Sequence, residues 1–264
     1  MADARVDFPG IVPDWPGLPA NVGALSTVRL GGVSQAPYGD GQGGGGLNLG
    51  VHVGDNAAAV TANRALLQAV LPGTPAWLSQ VHGVAVVDGA LPFDGTPEAD
   101  ASVASTPGAV CLVMTADCLP VLFSSQDGQV VGAAHAGWRG LAAGVLQRTV
   151  EAMRERGAGE ILAWLGPAIG PQQFEVGQEV LQAYLDGAQD DGERQAVTQA
   201  FVAAPGRDGK YLADIYALAR MMLLRAGVKQ VSGGQYCTVS DAARFYSYRR
   251  DGVTGRQASL IWRK

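Results

Sequence analysis

The chain has 264 residues, of which 47% are hydrophobic and 16% are charged, and its formal net charge is −5 at pH 7. This composition is typical of a globular protein with a sizeable core and excludes a largely disordered chain. Since Lys and Arg are nowhere concentrated, the acidic balance also argues against nucleic acid or an anionic membrane surface as a partner.

Targeting signals and cysteine usage indicate the cellular compartment in which we expect the protein. The segment Met1–Asp7 starts acidic and lacks the basic and apolar regions of a signal peptide. No apolar run reaches the roughly 18 residues that a membrane span requires. The three cysteines are an odd number without close pairing, which does not indicate a disulfide framework. We therefore expect a cytoplasmic protein.

Hydrophobic periodicity predicts a mixture of short strands and amphipathic helices without internal repeats. The predicted strands are Ala24–Leu30, Ala76–Gln80, Val84–Val87, Ala109–Met114, Pro120–Phe123, Val130–Ala134, Ile161–Leu165 and Ser259–Trp262. Several are apolar throughout, which indicates burial on both faces. The predicted helices cover residues 56–71, 140–156, 176–186, 190–203 and 213–226.

Local signals refine this assignment. Asp55 is the predicted N-cap of the first helix, and Gly157 is predicted to end the second. The glycine-rich stretch 39–50 matches no phosphate-binding fingerprint and is predicted to be a surface loop. The one candidate linker, 204–209, lies between helices without a shift in composition. We therefore predict a single α+β domain over residues 1–264.

The rarest residue types point to a metal site. The chain has only three histidines, His52, His82 and His135, and each ends an apolar run close to a glycine. Cys118 likewise follows an apolar strand. Two imidazoles and one thiolate are good zinc ligands, and three protein ligands leave one coordination position open for catalysis. The spacing fits no known zinc motif, so core or loop roles are an equal alternative. A thiolate nucleophile with a histidine base would use the same residues without metal.

A series of motifs, in order along the chain, resembles one protein family. The motifs are Asn48–Asp55 with Asn63–Arg64, Trp77–Gly83, Thr115–Val121, His135–Gly140, Leu165–Gly170, Phe174–Gly177, and Phe245–Asp251 with Thr254–Arg256. They are similar to those of the bacterial purine nucleoside phosphorylase family, also labelled polyphenol oxidase or laccase-domain, which includes peptidoglycan-editing factors. The resemblance runs from about Thr27 to the C-terminus. The glycines at 41–46 are more numerous than the family pattern has.

The resemblance implies an α+β fold built as a mixed β-sandwich with flanking helices. It also implies one zinc ion bound by His82, Cys118 and His135. The implied activities are phosphorolysis of adenosine, inosine and methylthioadenosine to base and ribose 1-phosphate, together with adenosine deamination. The laccase label would require several copper ions, for which three histidines are too few ligands.

Purine chemistry also requires groups that handle protons and phosphate. Deamination needs a carboxylate to carry a proton, and Asp117, beside Cys118, is the nearest candidate, although a turn role fits it equally. Phosphate needs cations, and Arg29 ranks first because it fits the family pattern over Thr27–Gly32. The other candidate substrate-binding residues are Arg64, Arg139, Arg249 and, for ribose or base, Asn48. For each arginine, a structural ion pair or an exposed position is the alternative.

Three classes of function therefore stay open. The first is a zinc-dependent purine nucleoside phosphorylase with deaminase activity. The second is an amidase that edits a peptidoglycan precursor, with Cys118 as nucleophile. The third is a non-enzymatic protein that binds a metal or a nucleotide. The sequence does not indicate an oligomeric state, and the partners it predicts are small: a nucleoside and phosphate.

Overall fold

The computed structural model describes residues 8–264, so the acidic start of the chain lies outside the described residues. The strands are β1 (Gly10–Ile11), β2 (Val22–Thr27), β3 (Leu30–Ser34), β4 (Pro75–Ala76), β5 (Val86–Asp88), β6 (Ala101–Ala104), β7 (Val110–Thr115), β8 (Leu119–Ser125), β9 (Val131–Ala136), β10 (Ile161–Leu165), β11 (Glu175–Gly177), β12 (Phe201–Ala203), β13 (Lys210–Ala213), β14 (Gln230–Gly233) and β15 (Gln257–Arg263). The helices are α1 (Ala57–Gln68), α2 (Trp138–Ala143), α3 (Val145–Glu155), α4 (Gln178–Asp186), α5 (Asp191–Gln199), α6 (Ile215–Arg225) and α7 (Tyr248–Asp251).

Two mixed sheets form the centre of the fold. One has the strand order β1-β2-β15-β7-β4, and the other has the order β14-β10-β8-β9-β6-β5. A core cluster joins their facing sides, with Cys111 and Val113 from the first sheet packed among Leu122, Ala133 and Trp164 from the second. A third, small sheet has the order β11-β13-β12.

The outer faces of the two large sheets are covered as well. Helices α3, α4 and α6 pack their apolar residues on the six-stranded sheet, and Leu67 of α1 packs with Leu112 and Leu260 on the five-stranded sheet. Strands β7 to β10 are consequently buried along their whole length, as their unbroken apolar runs predict. The predicted α+β fold, a mixed β-sandwich with flanking helices, is confirmed.

Some predicted elements differ in their detail. The helix predicted over 140–156 is two helices, because Gly144 between them adopts a left-handed conformation with φ of 98°. The side chain that caps α1 belongs to Asn56, whose oxygen accepts from the amides of Ala58 and Ala59. Asp55, the predicted cap, instead accepts hydrogen bonds from the side chains of Ser34 and Asn48.

Several short strands escaped prediction. Strands β3, β6 and β14 contain glycine or small residues, and β11 and β12 occupy the ends of segments predicted to be helical. The candidate linker at 204–209 is a hairpin loop, since β12 and β13 pair antiparallel on either side of it. Within the described residues, no helix is long and apolar enough to cross a membrane.

The sandwich brings three distant chain segments to one end. Cys118 lies in the turn between β7 and β8, while His135 lies on β9, where it pairs with Pro120 of β8. His82 lies in the loop that follows β4 and precedes β5. The turn, the strand and the loop therefore meet at one edge of the two sheets.

Candidate metal centre

His82, Cys118 and His135 form one cluster. One potential ligand atom from each residue lies within 4.8 Å of the others. The Cys118 Sγ and the His82 Nε2 are 3.7 Å apart. Tetrahedral zinc with bonds of about 2.0 Å to nitrogen and about 2.3 Å to sulfur would separate these atoms by about 3.5 Å. The donor set and its spacing therefore fit one zinc ion.

A buried carboxylate orients His135. The His135 Nδ1 and the Asp100 Oδ1 are 2.8 Å apart, and both side chains are almost fully buried. This hydrogen bond leaves Nε2 of His135 as the nitrogen available to a metal. Metal-binding histidines usually make such a contact through their second nitrogen, which fixes the ring and raises its basicity. Asp100 is thus a positioning residue of the cluster.

The same carboxylate also holds the His82 loop. Asp100 accepts hydrogen bonds from the backbone amides of Val81, His82 and Gly83, at 3.2, 3.0 and 2.6 Å. His82 itself has a φ of 61°, which is uncommon for a residue with a side chain and must be maintained by its surroundings. One side chain therefore fixes two of the three candidate ligands.

The histidines also set the protonation state of Cys118. Burial alone would raise the pKa of the thiol, but His135 and His82, by charge and by hydrogen bonding, lower it to about 6. Burial likewise opposes a charge on His135, while Cys118 and Asp100 raise its pKa to about 9. These shifts favour the thiolate, which is the form that binds metals and attacks electrophiles.

Gly137 leaves room for the cluster. A Cβ atom at this position would lie 2.8 Å from the His82 Cδ2 and 3.0 Å from the Cys118 Sγ. These distances are shorter than ordinary van der Waals contacts, so a side chain would displace the candidate ligands. The glycine that follows β9 is therefore required by close approach rather than by its backbone angles.

Two cavities meet at the cluster, and His82, Cys118 and Tyr248 line both. The first, of about 270 Å³, is here called the Arg256 cavity, and its wall includes His52, Thr115 and Arg256. The second, of about 290 Å³, is called the Trp138 cavity, and its wall includes Asp117, Trp138, Arg139, Ile169, Phe174 and Arg249. The cluster thus faces one cavity whose described lining residues include a single arginine and no carboxylate, and a second cavity that combines aromatic residues with two arginines and one aspartate.

Besides His82 and Cys118, three residues predicted to serve catalysis or binding lie in the Trp138 cavity: Asp117, Arg139 and Arg249. Asp117 has a φ of 94°, and its two carboxylate oxygens accept from the Thr238 hydroxyl and the Arg249 amide, each at 2.6 Å. It therefore fastens the start of α7 against the turn that carries Cys118. The guanidinium of Arg139 lies 4.4 Å from the centre of the Trp138 ring.

Arg29, the first candidate for phosphate, does not line either cavity. Its guanidinium donates to the backbone carbonyls of Gly39 and Ala242, and it faces a separate cavity beside the glycine-rich loop. Each guanidinium nitrogen makes one of these bonds, so Arg29 holds the glycine-rich loop in place, and phosphate binding by Arg29 stays a prediction.

The side chains of Asn48 and Arg64 also make contacts within the protein. The side-chain oxygen of Asn48 accepts hydrogen bonds from the backbone amides of Gly50 and Arg256, and its side-chain nitrogen donates to the Asp55 carboxylate. The Arg64 guanidinium stacks 3.6 Å from the centre of the Trp77 ring and donates to the Leu49 carbonyl. Neither residue lines the cavities at the cluster.

Sequence reasoning assigned no role to three residues around the cluster: Asp100, Thr115 and Arg256. Asp100 precedes a short strand of small residues that itself escaped prediction, so it carried no signal. Thr115 and Arg256 lie inside recognised motifs but had no assigned role. His52, noted only as a strand-end histidine, lines the Arg256 cavity. Burial, reinforced by the charges of Arg256 and Arg64, lowers its pKa.

The chain is similar in sequence to known proteins along nearly its whole length. Residues 23–264 match the family described as multi-copper polyphenol oxidoreductase laccase. A purine nucleoside phosphorylase of Pseudomonas aeruginosa is 52% identical over 252 residues, covering 96% of this chain and 97% of that protein. The Escherichia coli purine nucleoside phosphorylase YfiH is 51% identical over 259 residues, covering 96% of this chain and 98% of that protein.

Solved structures agree with this similarity. A Neisseria meningitidis protein superposes with a TM-score of 0.85 at 50% identity, covering 97% of this chain and 99% of that one. YlmD from Geobacillus stearothermophilus superposes with a TM-score of 0.81 at 30% identity, covering 100% of this chain and 98% of that one. The sandwich architecture is therefore shared with proteins well below half identity.

Proposed function

The chain belongs to the multi-copper polyphenol oxidoreductase laccase family, and from this premise we propose that it is a zinc-dependent purine nucleoside phosphorylase. Its substrates would be adenosine, inosine or methylthioadenosine, together with phosphate. The observation that carries the proposal is the His82, Cys118 and His135 cluster at the junction of two cavities. Adenosine deamination is proposed as a second activity of the same site.

The copper chemistry in the family's description does not fit this chain. Its only described group of metal-type side chains contains two histidines and one cysteine. The third histidine of the chain, His52, stands outside this group, and several copper ions would need many more imidazoles. One tetrahedral zinc matches both the number and the spacing of the donors.

The reaction exchanges one bond at C1′ of the ribose. A phosphate oxygen bonds to C1′ while the C1′–N9 bond breaks, and the bonding electron pair leaves with the purine, which then takes up a proton. The Trp138 cavity suits the purine because Trp138 and Phe174 offer flat aromatic faces and Ile169 offers an apolar contact. Arg139 and Arg249 at its wall supply hydrogen-bond donors for the base.

Deamination would make a different use of the same groups. Zinc, when bound, lowers the pKa of a coordinated water to about 7 and so supplies hydroxide. Asp117, beside Cys118 in the Trp138 cavity, is proposed to carry the proton to the leaving amino group. Its two hydrogen bonds hold the carboxylate in place for this role.

The defining test is the dependence of adenosine cleavage on phosphate. We expect purified protein to convert adenosine to adenine and ribose 1-phosphate in proportion to the phosphate added, with inosine and ammonia formed whether or not phosphate is present. Product analysis by chromatography separates the two reactions. Intact adenosine, inosine and methylthioadenosine after prolonged incubation of zinc-loaded protein with phosphate would contradict the proposal and leave a binding protein.

Tyr248 offers a test of base binding that spares the fold. Its side chain is 62% exposed and lines both cavities, so the ring is free to stack on a purine. Stacking of one base on an aromatic ring contributes about 1–3 kcal/mol, so Tyr248→Ala should raise the KM for adenosine about five- to a hundredfold. Steady-state kinetics at saturating phosphate measures this, and Tyr248→Phe is the matched control. An equal loss in the phenylalanine variant would assign the effect to the hydroxyl instead.

A second candidate function has its own supporting observation. Asp100, His135 and Cys118 form a linked carboxylate, imidazole and thiol in which the pKa of the thiol is lowered to about 6. A nucleophilic cysteine requires such an arrangement, so an amidase acting on a peptidoglycan precursor is the alternative. The reactivity of Cys118 separates the two.

A further inference from the structure

Thr115 presents a buried hydroxyl without a partner. Its side chain lines the Arg256 cavity and is 2% exposed, yet its Oγ1 has no hydrogen-bond partner anywhere in residues 8–264. A buried polar atom that stays unpaired destabilises a fold, so such an atom calls for a ligand or water as its partner. Thr115 belongs to the wall of that cavity and its Oγ1 is closed to solvent, so a ligand held there would meet the hydroxyl once the side chain rotates.

Arg256 contributes unused donors to the same cavity. Its Nη1 donates to the carbonyls of Thr254 and Gly255, whereas Nε and Nη2 have no acceptor among the described residues. Its backbone is held by Asn48, and its aliphatic stem packs against Gly50, where a Cβ would lie 2.8 Å from the Arg256 Cγ. The half-buried guanidinium is therefore fixed in position, while its Nε and Nη2 can still donate hydrogen bonds to a ligand.

The surroundings of the cavity favour an anion. His52 stands at the exposed side of the wall and can donate a further hydrogen bond. Gln80, which also lines this wall, is already paired with the backbone of Met114 through both its amide nitrogen and its oxygen. None of the described residues that line this cavity carries a carboxylate. The free donors are thus a guanidinium, an imidazole and a hydroxyl, and the one anionic group among the described residues of the wall is the Cys118 thiolate of the cluster.

We propose that the Arg256 cavity is the subsite for inorganic phosphate, held by Arg256, Thr115 and His52. The inference rests on the proposed phosphorylase function and assigns its second substrate to a place. A guanidinium with two free donor nitrogens matches phosphate oxygens well. Because His82, Cys118 and Tyr248 line both cavities, a phosphate here would face a nucleoside in the Trp138 cavity across the cluster. Attack on C1′ requires phosphate and nucleoside to lie next to each other. The guanidinium of Arg29 lines a separate cavity and is not adjacent to the Trp138 cavity.

The test compares phosphate and nucleoside dependence in two variants. Losing one charge-assisted hydrogen bond typically weakens binding about ten- to a hundredfold, so Arg256→Gln should raise the KM for phosphate by that factor. Thr115→Val, which replaces a buried hydroxyl with a methyl group of similar size, should raise it several-fold without loss of stability. In both variants the KM for adenosine should stay within about twofold. Arg148→Gln, at an exposed helical ion pair, is the control.

A binding measurement keeps this inference separate from the proposed activity. Calorimetry of zinc-loaded wild-type protein with inorganic phosphate alone should show binding that weakens about tenfold or more in Arg256→Gln. Unchanged phosphate KM and affinity in both variants, with wild-type phosphorolysis intact, would overturn the subsite and leave the phosphorylase standing. Phosphate binding that depends on Arg256 without any nucleoside cleavage would instead overturn the phosphorylase and retain the subsite. Wild-type protein that neither binds nor consumes phosphate would overturn both.

Discussion

Replacing Cys118 with alanine is expected to remove the bound zinc and to lower adenosine phosphorolysis by more than about a hundredfold. Residues that only support metal ligands typically contribute ten- to a hundredfold to metal affinity or activity, and a direct ligand contributes more. Metal analysis should give about one zinc per wild-type chain and none in the Cys118→Ala, His135→Ala double variant. Undiminished zinc in that double variant would contradict the assigned ligands. Cys237→Ala, outside the cluster, is the matched control.

Loss of activity alone would also follow if Cys118 were a nucleophile, so its reactivity with iodoacetamide is the necessary control. A thiolate bound to zinc shares its electron pairs with the metal and should react slowly, and chelation should make it react faster. Cys111 serves as an internal reference because burial raises the pKa of its thiol to about 12. Rapid alkylation of Cys118 in zinc-replete protein, or full activity after verified zinc removal, would favour the amidase instead.

Asp100→Asn is expected to weaken zinc binding about ten- to a hundredfold while the protein stays folded. The amide keeps the size of the side chain but removes the charge that orients His135, and its NH2 group would face backbone amides that the carboxylate now accepts. Competition with a chromophoric chelator measures the affinity. Asp88→Asn, which removes a half-exposed partner of Arg156, is the control.

Recovery by added zinc distinguishes this effect from simple damage to the fold. If Asp100 acts by holding the ligands, activity of Asp100→Asn should return toward the wild-type value at high zinc concentration. A variant that binds zinc as tightly as the wild type would show that the carboxylate does not position the ligands. A variant that regains nothing at saturating zinc would assign Asp100 a role beyond metal affinity.

The sequence revealed the cluster because its chemistry is rare and local. Histidine and cysteine are scarce in this chain, and strand ends beside glycines are where a fold exposes side chains to a cleft. The role of Asp100 could not be predicted in this way, because one aspartate before a run of small residues resembles an ordinary turn residue. Its importance arises only when β6 and β9 pair and bring it to His135. Such a role depends on long-range register, which periodicity does not encode.

The arginines show the limit of a motif match. Arg29 was favoured because it fits a motif, yet the structure uses its donors on the backbone of Gly39 and Ala242. Arg256 had no individual signal, because which donors of a guanidinium stay free depends on the carbonyls that surround it. Likewise, the helix period runs continuously through 140–156, and only the left-handed Gly144 reveals that the segment is two helices.

Because Asp100 contacts both the His82 loop and the His135 ring, the order of folding and metal binding can be inferred. Zinc fingers stay unfolded until metal arrives, because their ligands are otherwise unconstrained. Here a single buried carboxylate already aligns the His82 loop and the His135 ring, and the sandwich beneath them is closed by its own apolar core. If the cluster holds zinc as proposed, a newly made chain can reach its final fold before it binds the metal, so zinc shortage should lead to folded, inactive protein rather than to unfolded chains.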